Sequence, residues 1–79
     1  MQVEVRLYCG LESCVPGTTF GQPLMVEITG NFSGRDLLKK INVPEEKAFV
    51  LLVNGLHKNL DVILSDGDRV SIFPAVGGG

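Results

Sequence analysis

Ala48-Phe49-Val50-Leu51-Leu52-Val53-Asn54-Gly55 is the stretch that decides the fold. Its first part, Ala48 to Val53, is apolar at every position instead of alternating. A central strand covered on one side by a helix, with its other face lightly covered or used for binding, reads this way. Asn54-Gly55 then forms a strong hairpin signal, because both residues tolerate positive φ in a two-residue turn. A short strand around His57 should follow. Upstream, Ser33 can cap the free N–H groups of a helix, with Asp36 three residues on as a weaker relative of the capping box. Leu37, Leu38 and Ile41 form the apolar stripe of that short helix, while Arg35, Lys39 and Lys40 face water. The lysines suit the negative C-terminal end, and Asn42 and Pro44 stop the helix. Pro44 to Lys47 is a polar turn or one turn of 3₁₀ helix.

Further out, Gln2 to Tyr8 alternates with period two, Val3, Val5 and Leu7 against Gln2, Glu4, Arg6 and Tyr8. Leu24, Val26 and Ile28 alternate in the same way against Met25, Glu27 and Thr29, so a second strand pairs antiparallel with the first. Cys9 to Pro23 connects them as a long turn-rich loop. Downstream, Asp61 to Leu64 carries a small apolar cluster, and Asp66-Gly67-Asp68 turns tightly into a last strand, Arg69 to Phe73. There Val70 and Ile72 face the core, and Arg69, Ser71 and Phe73 face away. Pro74 ends the ladder because it has no N–H to donate. Two hairpins flanking one helix predict an α+β, β-grasp (ubiquitin-like) domain over residues 1–74, a mixed sheet of four to five strands on one main helix. Residues 75–79 form a flexible tail.

Composition narrows the function. A chain of 79 residues makes one small domain with a thin core. The longest apolar run is too short to span a membrane, and the start shows no leader pattern, so a cytoplasmic protein is expected. A net charge of −2 with scattered Lys and Arg argues against nucleic acid. Cys9 and Cys14 read as free thiols, a regulatory redox pair being the alternative that their spacing permits, and the further ligands of a zinc site are missing. Asp66 and Asp68 lack the rest of a calcium loop, and Glu45-Glu46 reads as a solvated edge, so no metal is expected. No phosphate loop or catalytic triad is present, which disfavours an autonomous enzyme.

The chain ends in Phe73-Pro74-Ala75-Val76-Gly77-Gly78-Gly79. Glycines without Cβ atoms can thread a narrow channel, and three or four extended residues span roughly 10–14 Å. Such a tail can deliver its carboxylate into another protein's active site; a frayed end is the alternative. Val53-Asn54-Gly55, Asp66-Gly67-Asp68-Arg69-Val70 and Ile72 to Gly79 resemble the MoaD/ThiS family of ubiquitin-like sulfur carriers. The resemblance implies that a ubiquitin-activating-type adenylyltransferase uses ATP to convert the Gly79 carboxylate to an acyl-adenylate. A persulfide sulfur then displaces AMP and leaves a thiocarboxylate. The chain binds no cofactor itself on this reading.

The opening segment and the Phe-Pro-Ala-Val tail resemble molybdopterin-synthase small subunits, which implies that synthase's large subunit as partner; a thiazole synthase is next. Ala75 stands where that branch usually has a second proline and Gly77 where it has Ala or Thr, changes that loosen the tail. The resemblance also places Tyr8, His57 and Phe73 at the partner-docking face, His57 departing from the apolar type expected there. Strand parity independently puts Tyr8 and Phe73 on the face away from the helix. A ubiquitin-like modifier joined to target lysines and a non-covalent interaction module remain the alternatives.

Overall fold

The computed structural model describes residues 1–8, 10–11 and 23–74. The 9–23 connection apart from Gly10, Leu11 and Pro23, and with it both cysteines, lies outside the described residues, as do Ala75, Val76, Gly77, Gly78 and Gly79. The chain runs β1 (Gln2–Leu7), β2 (Leu24–Glu27), α1 (Gly34–Ile41), a 3₁₀ turn (Glu45–Lys47), β3 (Val50–Val53), β4 (Leu56–Lys58) and β5 (Arg69–Phe73). The five strands lie in the order β2-β1-β5-β3-β4. Only β1 and β5 run parallel; the other neighbours are antiparallel. This is the mixed β-grasp sheet expected, at the upper end of the expected strand number.

Two expectations are corrected in detail. The middle of the sheet is β5, not β3, which has the short β4 outside it. The strand also begins at Val50, so Ala48 and Phe49 precede it. Val50 sits opposite Phe73, and Phe49 N–H donates to the Phe73 carbonyl at 2.9 Å. Beyond that rung Pro74 offers no N–H, so the ladder stops.

The hydrophobic period sets the layers. Val3, Val5 and Leu7 from β1, Val26 and Ile28, Leu51 and Val53 from β3, and Val70 and Ile72 from β5 face Leu37, Leu38 and Ile41 of α1. Among the described residues no polar or charged side chain is buried. Each fully buried Leu or Val contributes about 1.5–3 kcal/mol relative to exposure, so the fold rests on this one apolar layer.

The helix start satisfies all its free donors. Gly34 and Arg35 N–H groups donate to the Val62 and Leu60 carbonyls at 2.9 Å each, Asp36 N–H to Ser33 Oγ at 3.1 Å, and Leu37 N–H to the Ser33 carbonyl at 3.0 Å. The Asp36 carboxylate accepts from Ser33 N–H at 3.0 Å, completing the reciprocal box. A Cβ at Gly34 would lie 3.2 Å from the Leu60 carbonyl oxygen and 3.0 Å from Leu51 Cδ2, which is why the 60–62 segment can close on the helix end there. At the other end Asn42 takes a left-handed conformation, φ 63°, as the C-cap.

Ser33→Ala should cost about 0.5–2 kcal/mol in urea unfolding. Its partner adds a pH signature. The bonds from Ser33 N–H and its side chain hold the Asp36 carboxyl below its ordinary value. The contribution is therefore fully present above the unfolded pKa of about 3.9 and is lost as pH falls through the lower folded value. Melting temperatures of wild type and Asp36→Ala should differ at neutral pH and converge in strong acid.

Candidate functional site

The site is built where β5 ends. Phe73 is its last residue, and the strand is gripped from both sides there. Tyr8 N–H donates to the Ile72 carbonyl at 3.2 Å, and Phe49 N–H to the Phe73 carbonyl at 2.9 Å. Pro74 follows, half-buried, and carries the chain out of the sheet. The tail is thus rooted in the middle strand, which has hydrogen-bonded neighbours on both edges.

Tyr8 and Phe73, expected on one face, are in contact: their ring centroids lie 4.6 Å apart with 7° between the planes. That separation is an offset stack, the arrangement that aromatic quadrupoles favour. Next to this stack runs a row set by strand register: Arg6 beside Ser71, Ser71 opposite Leu52, and Leu52 opposite His57. His57 therefore shares the face of Tyr8 and Phe73, but it is exposed on the edge strand β4, with β3 between it and β5.

The far half of the same face is polar. A cleft of about 300 Å³ is lined by Glu4, Arg6, Tyr8, Asn54, Arg69 and Ser71. Glu4 binds Arg6 at 3.0 Å and, by that hydrogen bond and its charge, holds the guanidinium above its usual range. Asn54, at φ 52° in the hairpin turn, accepts from Arg69 N–H with Oδ1 at 2.9 Å and donates from Nδ2 to Asp68 at 2.9 Å. Its own N–H reaches the Arg69 carbonyl at 2.8 Å. The Asn54-Gly55 hairpin is therefore fastened to the start of β5.

The Asp66-Gly67-Asp68 turn has a mechanical role that its spacing did not disclose. Asp66 accepts from Gln2 N–H at 2.9 Å, Gly67 at φ 84° donates to the Gln2 carbonyl at 2.7 Å, and Asp68 accepts from Ser65 N–H at 2.8 Å. Asp66 and Gly67 thus hold the entry of β5 against Gln2 of β1, while the Asp68 carboxylate braces the turn at Ser65 and ties it to Asn54. Among the described residues no group of three His, Cys, Asp or Glu could hold a metal ion. No helix of the described residues is long and apolar enough to cross a membrane.

Sequence reasoning missed Phe49. It placed this residue inside the apolar strand, whereas its side chain is 71% exposed beside the tail root. The available signal was Pro74, which ends the ladder one rung from it. It also missed Arg35, which stands between Glu45 at 3.1 Å and Asp61 and joins the helix to the 3₁₀ turn and the 59–61 segment. These partners raise the Arg35 pKa, Asp61 most.

Comparison with known proteins agrees with this architecture. No curated protein matches the chain by sequence. Among solved structures, a putative molybdopterin converting factor subunit 1 from Pyrococcus furiosus is similar at 25% identity and TM-score 0.70, over 95% of this chain and 98% of that one. SAMP1, the small archaeal modifier protein 1 of Haloferax volcanii, is similar at 22% identity and TM-score 0.72 over the whole of both chains. A chain from the complex of subunits 1 and 2 of the Helicobacter pylori molybdopterin-converting factor is similar at 24% and TM-score 0.60, again over both chains entire. The ThiS family model matches residues 23–79, from the start of β2 through the terminal glycines. With five strands gripping one helix and a family match reaching through the tail, the chain belongs to the ThiS family of ubiquitin-like proteins.

Proposed function

We propose that the chain is a sulfur carrier whose Gly79 carboxylate becomes a thiocarboxylate. The family match through residue 79 carries this reading. The carboxylate oxygen attacks the α-phosphorus of ATP in a partner adenylyltransferase, and pyrophosphate leaves. A carboxylate is a poor electrophile, and the mixed anhydride with AMP supplies the leaving group it lacks. The terminal sulfur of a persulfide then attacks the acyl carbon and expels AMP, giving an acyl disulfide. A further thiol cleaves the S–S bond, leaving the thiocarboxylate and an ordinary disulfide. Stabilising the phosphate charge falls to the partner; the carrier contributes a slim acyl group on a fixed root.

The sulfur then goes to a cofactor precursor. A molybdopterin-synthase large subunit is the proposed receiving partner, supported by the similarity to a converting-factor subunit 1 at 25% identity. A thiazole synthase would be the receiver in the thiamine branch. Intact-mass spectrometry after incubation with ATP, a sulfur source and the adenylyltransferase of the same cell tests the chemistry. Replacement of one oxygen by sulfur is the expected result. An unmodified mass under conditions that charge a known carrier refutes it, and lysine-linked conjugates without sulfur incorporation would make the chain a protein modifier instead.

A further inference from the structure

We propose that Phe49, with the groove it borders, is a second docking surface for the adenylyltransferase, on the helix side of the sheet and so opposite the Tyr8–Phe73 stack. The inference rests on the proposed role of Gly79. It deepens that reading by saying which surface the activating enzyme must hold.

Phe49 is the most exposed of the large apolar residues described, at 71%. A phenyl ring left in water gains none of the burial free energy that ordinarily favours an aromatic residue. Its backbone is nonetheless fixed, because its N–H is bound to the Phe73 carbonyl at 2.9 Å and the next residue, Val50, pairs with Phe73. The ring is held one rung from the place where the tail departs.

Beside it opens a groove of about 590 Å³. Phe49 and Leu60 supply its exposed apolar surface over the nearly buried Ala48 and Leu51, and Lys58, Asp61 and, where the groove reaches the edge strand, His57 stand among its polar residues. The Arg35 ion pairs to Glu45 and Asp61 brace one wall. Asp61 is thereby occupied, while Lys58 makes no ion pair among the described residues. An apolar floor with a polar rim is the anatomy of a protein interface. The complementary feature is an apolar side chain accompanied by a carboxylate.

Tail length selects the occupant. In the proposed role the reacting carboxylate is that of Gly79, and the six residues Pro74 to Gly79 join it to Phe73. Fully extended they reach at most about 20–22 Å. An enzyme that shields an acyl-adenylate from water must enclose most of that length, so its channel mouth comes down onto Phe73 and onto the residues bonded to it. Tyr8 meets the mouth on one face of the sheet and Phe49 on the other.

The test measures binding of the whole chain to the adenylyltransferase from the same cell, together with the rate of thiocarboxylate formation by intact mass. Phe49→Ser should weaken binding about tenfold or more, as loss of a central aromatic anchor does, and Phe49→Leu should retain most of it. Lys58→Glu should weaken binding severalfold, and added salt, which weakens binding of the wild type, should weaken that of the variant less. Met25→Ser, at a 55% exposed residue on the other edge of the sheet, should change nothing. Melting temperatures should stay close to wild type, since the ring is not in the core. If wild type is charged and Phe49→Ser binds and charges equally, this inference is overturned and the role of Gly79 stands. If wild type is neither bound nor charged, both fall together.

Discussion

Deletion of Gly79 is expected to abolish the mass gain that marks thiocarboxylate formation, while the melting temperature stays where it was. The two halves of this result have separate causes. The reaction needs a carboxylate delivered to a fixed depth, and removing one residue withdraws it by about 3.3–3.6 Å, more than the tolerance of a positioned reaction. The fold should be indifferent, because among the described residues the buried core lies at or before Ile72. Gly78→Val should behave similarly, since a branched side chain widens a tail proposed to thread a channel. Chemical denaturation and intact mass on the same samples check both halves. A truncated chain that is still charged would remove Gly79 from the reaction; one that melts early would mean that the tail packs on the domain.

Leu38→Ala is expected to cost about 2–5 kcal/mol in urea unfolding. Leu38 has no exposed surface and lies on the helix stripe that covers the sheet, so the missing atoms leave a cavity that a layer of this thinness cannot collapse to fill. Small domains have a total stability of about 5–15 kcal/mol, and this one is near the small end in length. The variant should therefore unfold near physiological temperature. Its charging by the adenylyltransferase should fall in step with the folded fraction, in contrast to Gly79 deletion, which removes charging from a folded chain.

These two sites differ in how openly the sequence declares them. The stripe of Leu37, Leu38 and Ile41, the Ser33 cap and the Asn54-Gly55 hairpin are local signals, each written within a few residues, and the structure realises all of them. The pairing of Tyr8 with Phe73 was half legible: alternation put both rings on one face, but their stacking depends on β1 lying parallel beside β5, a contact between the two ends of the chain. Asp66 and Asp68 were legible as a turn, not as the groups that clamp Gln2 and Asn54. Phe49 was hidden because an apolar run looks the same whether its first residues are inside the sheet or one rung past it. Only the register, Val50 against Phe73, separates the two.

The parallel run of β1 beside β5 carries a practical polarity. Both strands point the same way, so Gln2 lies near the turn that opens β5, while Leu7 pairs with Ile72 near the exit of the tail. A six-residue strand is about 20 Å long, and Met1 sits at the far end of it from Phe73. Anything fused ahead of Met1, whether an affinity handle, a dye or a surface linker, leaves from the pole opposite Phe73, so the chain can be tethered by its head without crowding the end at which the proposed reaction takes place.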